Sequence, residues 1–555
     1  PLFWCEVFMK LFQRLLVAPA ALGLLAPMAV NATELNIDGV SDYAASGEQV
    51  TSITQFSDVY PTDWAYQALS NLIERYGCVA GYPNGTYRGN RAMTRFEAAA
   101  LLNACLDRVT EVTDELKRLM KEFEKELAIL KGRVDGLEAR VGELEATQFS
   151  TTTKLKGKTT FVTGGVIAGG DSVAGESFSN SGRGGADAYN KSFGAFTFNY
   201  DQRLSLNTSF TGKDKLFTRL RTGNFGKSAF GGKGVNLTAL DIASSTANSV
   251  TIDRLYYKFP VGEEFTFIVG ALARNTESLA MWPSKYNKGG AKILDYFAVA
   301  GVPGVYNKET GQLLAAYWKQ KVDKGDPAFS VSVNYVADDG EGNNSDSSTG
   351  GFATDNSRAN LLAQLGWGNG QYGAAFAYRY GQCRSAFRRS TSFVKNDNFN
   401  LNCQPGDDSR SSNSYAINAY WQPENPGFIP SISVGWALNN ISGDNIVDGT
   451  YTTSQSWFTG LRWADVFLKG NDLGFAFGQP TFATALKGSD TPYDGNYAFE
   501  LYYNFQVTDN IAVTPALFYL SRPMGQNTRN LKVDGTGYDG QFNVFGGLIQ
   551  TTFKF

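Results

Sequence analysis

AFTFNYDQRLSLNTSF, residues 195–210, alternates apolar and polar side chains with a period of two. One row holds Phe196, Phe198, Tyr200, Leu204, Leu206 and Phe210. The other holds Thr197, Asn199, Asp201, Arg203, Ser205, Asn207 and Ser209. That period belongs to a β-strand whose two faces meet different environments. The same text recurs in Phe329–Tyr335, Leu361–Trp367, Ile432–Leu438 and Tyr497–Val507. Between residues 156 and 555 about sixteen such segments can be marked out.

The gaps between them also alternate. Short ones include Gly212–Lys215, Val261–Glu263, Asn369-Gly370, Lys469–Asp472 and Thr508-Asp509; long ones include 170–193, 227–249, 274–310, 338–359, 381–412 and 522–540. Short turns on one rim and long loops on the other mark a transmembrane β-barrel with an even number of antiparallel strands. A soluble sandwich also alternates, but it needs no such asymmetry between rims. The closing stretch, Phe545, Gly547, Ile549, Thr551, Phe553 and Phe555, alternates to a terminal Phe, as in strands recognised by barrel-assembly machinery. The expected fold is therefore mainly β: a 16-stranded barrel over 149–555, embedded in outer-membrane lipid, with a water-filled lumen.

Composition agrees. The 555 residues include 60 Gly, 14% aromatics and 19% charged residues, with a net charge of −3 and no His. Mean hydropathy, −0.24, is too low for a bundle of membrane helices. The near-neutral balance offers no global basic field for nucleic acid. Without His, the Ser-His-Asp, Cys-His and His-metal mechanisms are excluded, and no cofactor, metal centre or enzymatic role is expected.

Strand parity points Arg203, Arg219, Arg221, Arg254, Lys258, Arg379 and Arg462 into the lumen as pore-lining residues. The opposite register would place Arg in lipid at a cost of about 2–4 kcal/mol near the midplane. A slightly basic wall predicts mild anion preference. The longest internal loop, Arg274–Thr310, carries Arg274, Glu277, Lys285, Lys288, Lys292 and Asp295 beside Trp282, Tyr286, Tyr296 and Phe297. Folded inward, it would form a constriction with a transverse field favouring small polar solutes.

Ahead of the barrel the text changes three times. Residues 9–32 pair basic Lys10 and Arg14 with an apolar Leu15–Val30 core and a small-residue site ending at Ala32, the pattern of a secretory signal peptide; residues 1–8 read as lying before it. In 54–110, Trp64, Ala65, Ala68, Leu69, Leu72 and Ile73 recur at helical spacing; Asp63 is placed to cap that helix, and Thr94 with Glu97 to cap a second. In 111–148, continuing from Val109, apolar residues step by three or four through Leu116, Phe123, Leu130, Leu137 and Leu144. That is a coiled-coil seam whose exposed stripe needs partner helices, so a homo-oligomer is expected. Val and Leu at the two seam positions lean toward two strands. Export also makes disulfides plausible, and local pairing suggests Cys78–Cys105 and Cys383–Cys403.

Phe56-Ser57-Asp58-Val59, Trp64-Ala65, Gly81–Tyr87 and Thr94-Arg95-Phe96-Glu97 closely resemble a surface-layer homology (SLH) domain. The family's Thr-Arg-Ala-Glu motif maps onto Thr94–Glu97, with Phe96 where Ala is usual. The resemblance implies docking on peptidoglycan-linked cell-wall polysaccharide, with Arg95 pairing an acidic group and Asp58 and Trp64 building the pocket. Many surface-layer proteins carry three repeats where this chain has one. The full order of signal, SLH domain, coiled coil and barrel resembles cyanobacterial major outer-membrane porins, whose barrels belong to the OprB carbohydrate-selective family. That implies a trimer, a barrel in the outer membrane and helical segments in the periplasm. It also implies passive flux of inorganic ions and small solutes. Some relatives are described as iron-uptake porins, although the residues here supply no iron site. Two alternatives stay open: a mainly structural anchor with a nearly closed barrel, and a carbohydrate-selective porin.

Overall fold

A computed structural model describes residues 52–63, 65–74, 85–89, 136, 152–170, 185–286, 291–385, 387–396, 410–425, 427–443, 446, 448–488, 492–531 and 541–555. The chain divides into two compact units, 1–146 and 147–555. The signal-peptide segment lies outside the described residues. So do Trp64, Cys78, Arg95, Cys105, Lys288 and Cys403, and the coiled-coil segment apart from Gly136.

In the first unit, Ile53, Phe56, Leu69 and Ile73 form a small core under helix α1 (Tyr66–Glu74). Asp63 does not cap α1 with its side chain. Its carboxylate accepts the Tyr60 amide at 2.7 Å, and its main-chain carbonyl accepts the Tyr66 amide. The side chain is spent on the preceding turn, which competes for the same short reach.

The second unit is a closed barrel of sixteen antiparallel strands, each paired with its sequence neighbours, and β1 with β16. They are β1 (Thr153–Gly170), β2 (Thr197–Thr208), β3 (Lys215–Gly223), β4 (Thr251–Val261), β5 (Phe265–Arg274), β6 (Thr310–Lys319), β7 (Ala328–Asp338) and β8 (Asn360–Gly368). Then follow β9 (Tyr372–Gln382), β10 (Arg410–Trp421), β11 (Ser431–Gly443), β12 (Tyr451–Ala464), β13 (Asp472–Leu486), β14 (Tyr497–Thr508), β15 (Ile511–Ser521) and β16 (Phe542–Lys554). The sixteen segments of the alternation pattern and the sixteen strands correspond one to one. The seam runs from Lys158↔Lys554 to Gly170↔Phe542, and Gly157 and Phe555 exchange both backbone hydrogen bonds at its end. The terminal Phe thus completes the ladder.

Polarity is inverted relative to a soluble protein. Phe196 and Phe198 are 76% and 63% exposed, while Asp201 is fully buried. Across the sheet, Val331, Val333, Leu365, Ile417, Val434 and Ile549 face outward, and Ser330, Ser332, Gln364, Asn418, Ser433 and Gln550 are buried inside. An apolar exterior around a polar interior is stable only where lipid is the solvent.

Candidate functional site

The inner wall has two unlike arcs. On β1–β4 the register brings basic residues into adjoining rows: Lys158 opposite Arg203, Arg203 opposite Arg221, Arg219 opposite Arg254, and Lys215 opposite Lys258. Like charges directly opposite one another repel. Carboxylates placed between them offset this. Asp201 binds Arg203 at 2.5 Å and Arg221 at 2.6 Å; Asp253 takes Arg219 bidentately at 2.6 and 2.7 Å; Glu277 takes Arg254 at 2.7 Å. Strict alternation would put Asp253 and Arg254 on opposite faces. A bulge beside Arg219 makes Asp253 the extra residue of β4, so both serve the cluster. Lys258 sits lower, its ammonium 4.8 Å from the Tyr317 ring centre.

On β9–β14 many inward positions are small: Ala375, Ala377, Ala416, Ala437, Ala476 and Ala498 are buried there, interspersed with Gly435 and Gly460 and with larger residues such as Phe458 and Tyr502. The 275–309 loop seats its backbone on this arc. A Cβ at Gly435 would lie 2.5 Å from the Ala300 carbonyl, and one at Gly460 2.7 Å from the Tyr286 ring. Asn418 donates to Ala300 at 3.1 Å, and the Lys285 and Tyr286 amides donate to Ser433 at 2.8 and 3.2 Å. Glu500 accepts the Tyr286 hydroxyl at 2.7 Å and the Leu294 amide at 2.5 Å.

Other long-rim segments join this loop. Residues 239–241 pair with 293–295 as a short antiparallel bridge around Leu240 and Leu294. Helix α2 (Gly185–Phe193) docks on β1, where Asn190 both donates to and accepts from the Ala168 backbone. Phe225, Phe230, Leu237, Leu240, Ile293 and Phe297 form part of a continuous apolar core inside the barrel. Protein therefore fills a large share of the lumen, which the strand count alone assigns to water.

This packing redistributes the residues singled out from sequence. Lys292 stays exposed, and Glu277 is half-buried. Asp295 is fully buried as a hub for Lys308, Arg388 and Arg389, each at 2.6 Å. Lys285 is buried with its ammonium 4.9 Å from the Tyr420 ring centre. The Arg274 Nε is buried without a hydrogen-bond partner. Arg379 does not face open lumen: it is buried against Asn360, Ser385 and Ser412, with Phe387 stacked on its guanidinium; nor do Arg254, buried against Glu277, and Arg221, buried against Asp201. Arg462 pairs with Asp472 at 2.6 Å. Sequence parity had Asp201 on the right face beside Arg203; Glu500 gave no signal, because its partners lie more than 200 positions away.

In the first unit both Asp58 oxygens accept backbone amides, from Tyr87 and Arg88 at 2.6 Å each. Slight burial opposes, but these bonds hold its carboxyl below the usual range. The carboxylate is committed to clamping the 87–88 segment. Cys383 is buried and disulfide-bonded.

A family model described as the carbohydrate-selective porin, OprB family, matches residues 111–555, and one described as the S-layer homology domain matches 55–99. An uncharacterized protein of Nostoc sp. (alr4550) is 35% identical over 570 residues, spanning 94% of this chain and 88% of its own length. One from Synechocystis sp. (sll0772) is 31% identical over 526 residues, spanning 87% and 89%. Outer membrane protein SlpA of Deinococcus radiodurans is 36% identical over 104 residues, 17% of this chain and 9% of that protein. Among solved structures, Pseudomonas putida OprB at high pH matches with a TM-score of 0.44 at 13% identity, covering 75% of this chain and 96% of that one. An anion-selective porin from Comamonas acidovorans matches with a TM-score of 0.42 at 11% identity, covering 73% and 99%.

Proposed function

This chain belongs to the OprB family of carbohydrate-selective porins and carries an SLH domain ahead of its outer-membrane barrel, and from that premise we propose a passive conduit that is also a tether. Small polar solutes and inorganic ions, iron salts among them, diffuse along the basic arc of β1–β4. The observation that carries this reading is the row of Arg203, Arg219, Arg221 and Arg254, only partly neutralised by Asp201, Asp253 and Glu277. Surplus positive charge beside a narrowed bore enriches anions and leaves small neutral solutes free to pass. The 275–309 loop is the constriction, with Lys292 its exposed charge and Glu277 tied to Arg254.

The SLH domain binds peptidoglycan-linked polysaccharide through Arg95 and Trp64, with Asp58 shaping the surface rather than touching the polymer. One copy binds weakly, so a homo-oligomer, a trimer, supplies avidity.

The apolar core within the lumen favours one rival reading, a structural anchor with a nearly closed barrel. Liposome swelling with sugars of graded size separates the two. A conduit passes small sugars and excludes larger ones, whereas a closed anchor passes none. In a KCl gradient the conduit gives a reversal potential of mild anion preference, and strong cation preference would reject the assignment of the arc. Pull-down on purified cell walls tests the tether: Arg95→Ala should lose binding, and retained binding would remove Arg95 from that role.

A further inference from the structure

At the base of the 275–309 loop, buried arginines outnumber the carboxylates that pair with them. β4 and β5 pair at Leu255↔Leu272, so the next position on each strand sets Arg254 beside the Ala273–Arg274 end of β5. There the chain enters a short 3-10 helix, Asn275–Ser278, and starts across the lumen. Arg274 thereby extends the row of Arg203, Arg221, Arg219 and Arg254. Of the charges around it Arg254 acts most strongly, followed by Arg388, Glu277 and Arg219. Three carboxylates, Asp201, Asp253 and Glu277, pair with the first four arginines, and Arg274 forms no ion pair among the described residues.

Donors are left over as well as charge. The Arg254 side chain is 2% exposed. Its Nε donates to Glu277 at 2.7 Å and its Nη1 to the Asp253 carbonyl, but its buried Nη2 has no hydrogen-bond partner among the described residues. The buried Nε of Arg274 is in the same position. Glu277 is already spent on the Arg254 Nε and on the Arg274 main-chain amide, at 3.3 Å. A buried N–H without an acceptor is costly, and so is a buried charge without a counter-charge. Water would satisfy the N–H groups and leave the charge; an anion answers both. A planar carboxylate or phosphate is held best by two parallel N–H groups of one guanidinium. Arg254 has already turned its Nε to Glu277, so it offers a single N–H. Single N–H groups from two arginines suit a monatomic ion, which accepts from any direction.

We propose that Arg254 and Arg274 hold a resident halide, chloride in ordinary media, as a strut between the β4 wall and the base of the loop. The ion is fixed rather than in transit, so the site goes beyond the conduit reading and does not depend on it. Glu277 clips the first turn of the loop to Arg254, and the halide adds a second clip through Arg274. A ligand bound only by the folded state stabilises it in proportion to the logarithm of its concentration over its dissociation constant. Chloride should therefore hold the loop and barrel together more firmly than an anion too large to enter.

The test uses the full-length chain in two ways. Crystals grown in sodium bromide, with data collected at the bromine absorption edge, should show an anomalous peak in contact with both the Arg254 Nη2 and the Arg274 Nε. In detergent, urea unfolding followed by electrophoretic mobility should be about tenfold slower in sodium chloride than in sodium gluconate at equal ionic strength. Arg274→Met removes one donor and one charge, and should shrink that ratio to less than about twofold. No bromine signal at this position overturns the strut, as does a chloride effect of equal size in wild type and Arg274→Met. A bromine peak without any chloride effect on wild-type unfolding is binding at crystal concentration only, and overturns it too. If Arg274→Met does not assemble, the wild-type bromine map and salt comparison decide. KCl conductance reads the conduit separately. A conducting channel without bromine removes the strut alone; a bromine peak in a barrel that conducts nothing removes the conduit and leaves the strut.

Discussion

The arc of β1–β4 and the arc of β9–β14 obey the same alternation and do opposite things. The first turns long cations inward, where three carboxylates pair with them; Arg203 and Arg219 keep some exposure, while Arg221 and Arg254 are buried. The second turns Ala and Gly inward, and its missing volume is taken by the 275–309 loop. Side-chain size on one arc thus sets where the loop lies, while the other arc keeps its row of paired charges. A bore narrower than the barrel arises without changing the number of strands.

The strongest way to break this division is at the hub. Asp295→Asn would leave Lys308, Arg388 and Arg389 crowded around an uncharged amide. Removing one partner from a buried ion network costs about 3–5 kcal/mol. We expect that loss in urea unfolding followed by electrophoretic mobility, together with noisier single-channel currents as the loop loosens.

A smaller effect should follow from filling the seat. Gly460→Leu places side-chain atoms where the Tyr286 ring now lies. Overpacking of this kind costs about 1–3 kcal/mol. Because the loop rather than the wall can yield, conductance should rise; unchanged conductance would show that the loop does not limit the bore.

The charged arc can be sharpened on its own. Arg219→Gln/Arg221→Gln removes the bidentate partner of Asp253 and leaves Asp201 paired with Arg203 alone. The anion-to-cation permeability ratio should fall on the order of twofold, read as reversal potential in a KCl gradient. The same substitutions on the other arc have no counterpart, since it presents no such row.

The smallest effect concerns pH. Asp494, in the loop between β13 and β14, accepts from Thr391, Ala483 and Gln526 and so ties several long-rim segments together. Burial pushes its carboxyl up to about 7, against the pull of those donors and Arg522. A folded-state value above the unfolded one means the stabilisation is complete below about pH 4 and is lost as pH rises through about 7. Protection factors in 492–496 and 525–531, corrected for the base-catalysed rise of intrinsic exchange, should therefore be higher at pH 5 than at pH 8. Asp494→Asn should flatten that difference.

Strand existence and facing were legible because lipid punishes a misplaced charge at every second residue. The helix of the first unit was legible from spacing, but its cap was not, because the Tyr60 amide and the helix amides compete for the same Asp63 carboxylate. Parity put Arg203, Arg219, Arg221 and Arg254 on one face, and in the structure they share the carboxylates Asp201, Asp253 and Glu277. It could not tell a wetted position from a buried one, and so it treated Arg221, Arg254 and Arg379 like Arg203 and Arg219.

What the sequence determined by itself is local: alternation, the sign of each face, the length of each gap and the closing strand. Those follow from neighbours along the chain and from the solvent outside. Which inner residues meet solute was decided only in three dimensions. Asp295 finds Arg388 across 93 positions, and Tyr286 finds Glu500 across 214. No period in the sequence records such pairings, because they exist only once a closed barrel brings distant strands and loops into one interior.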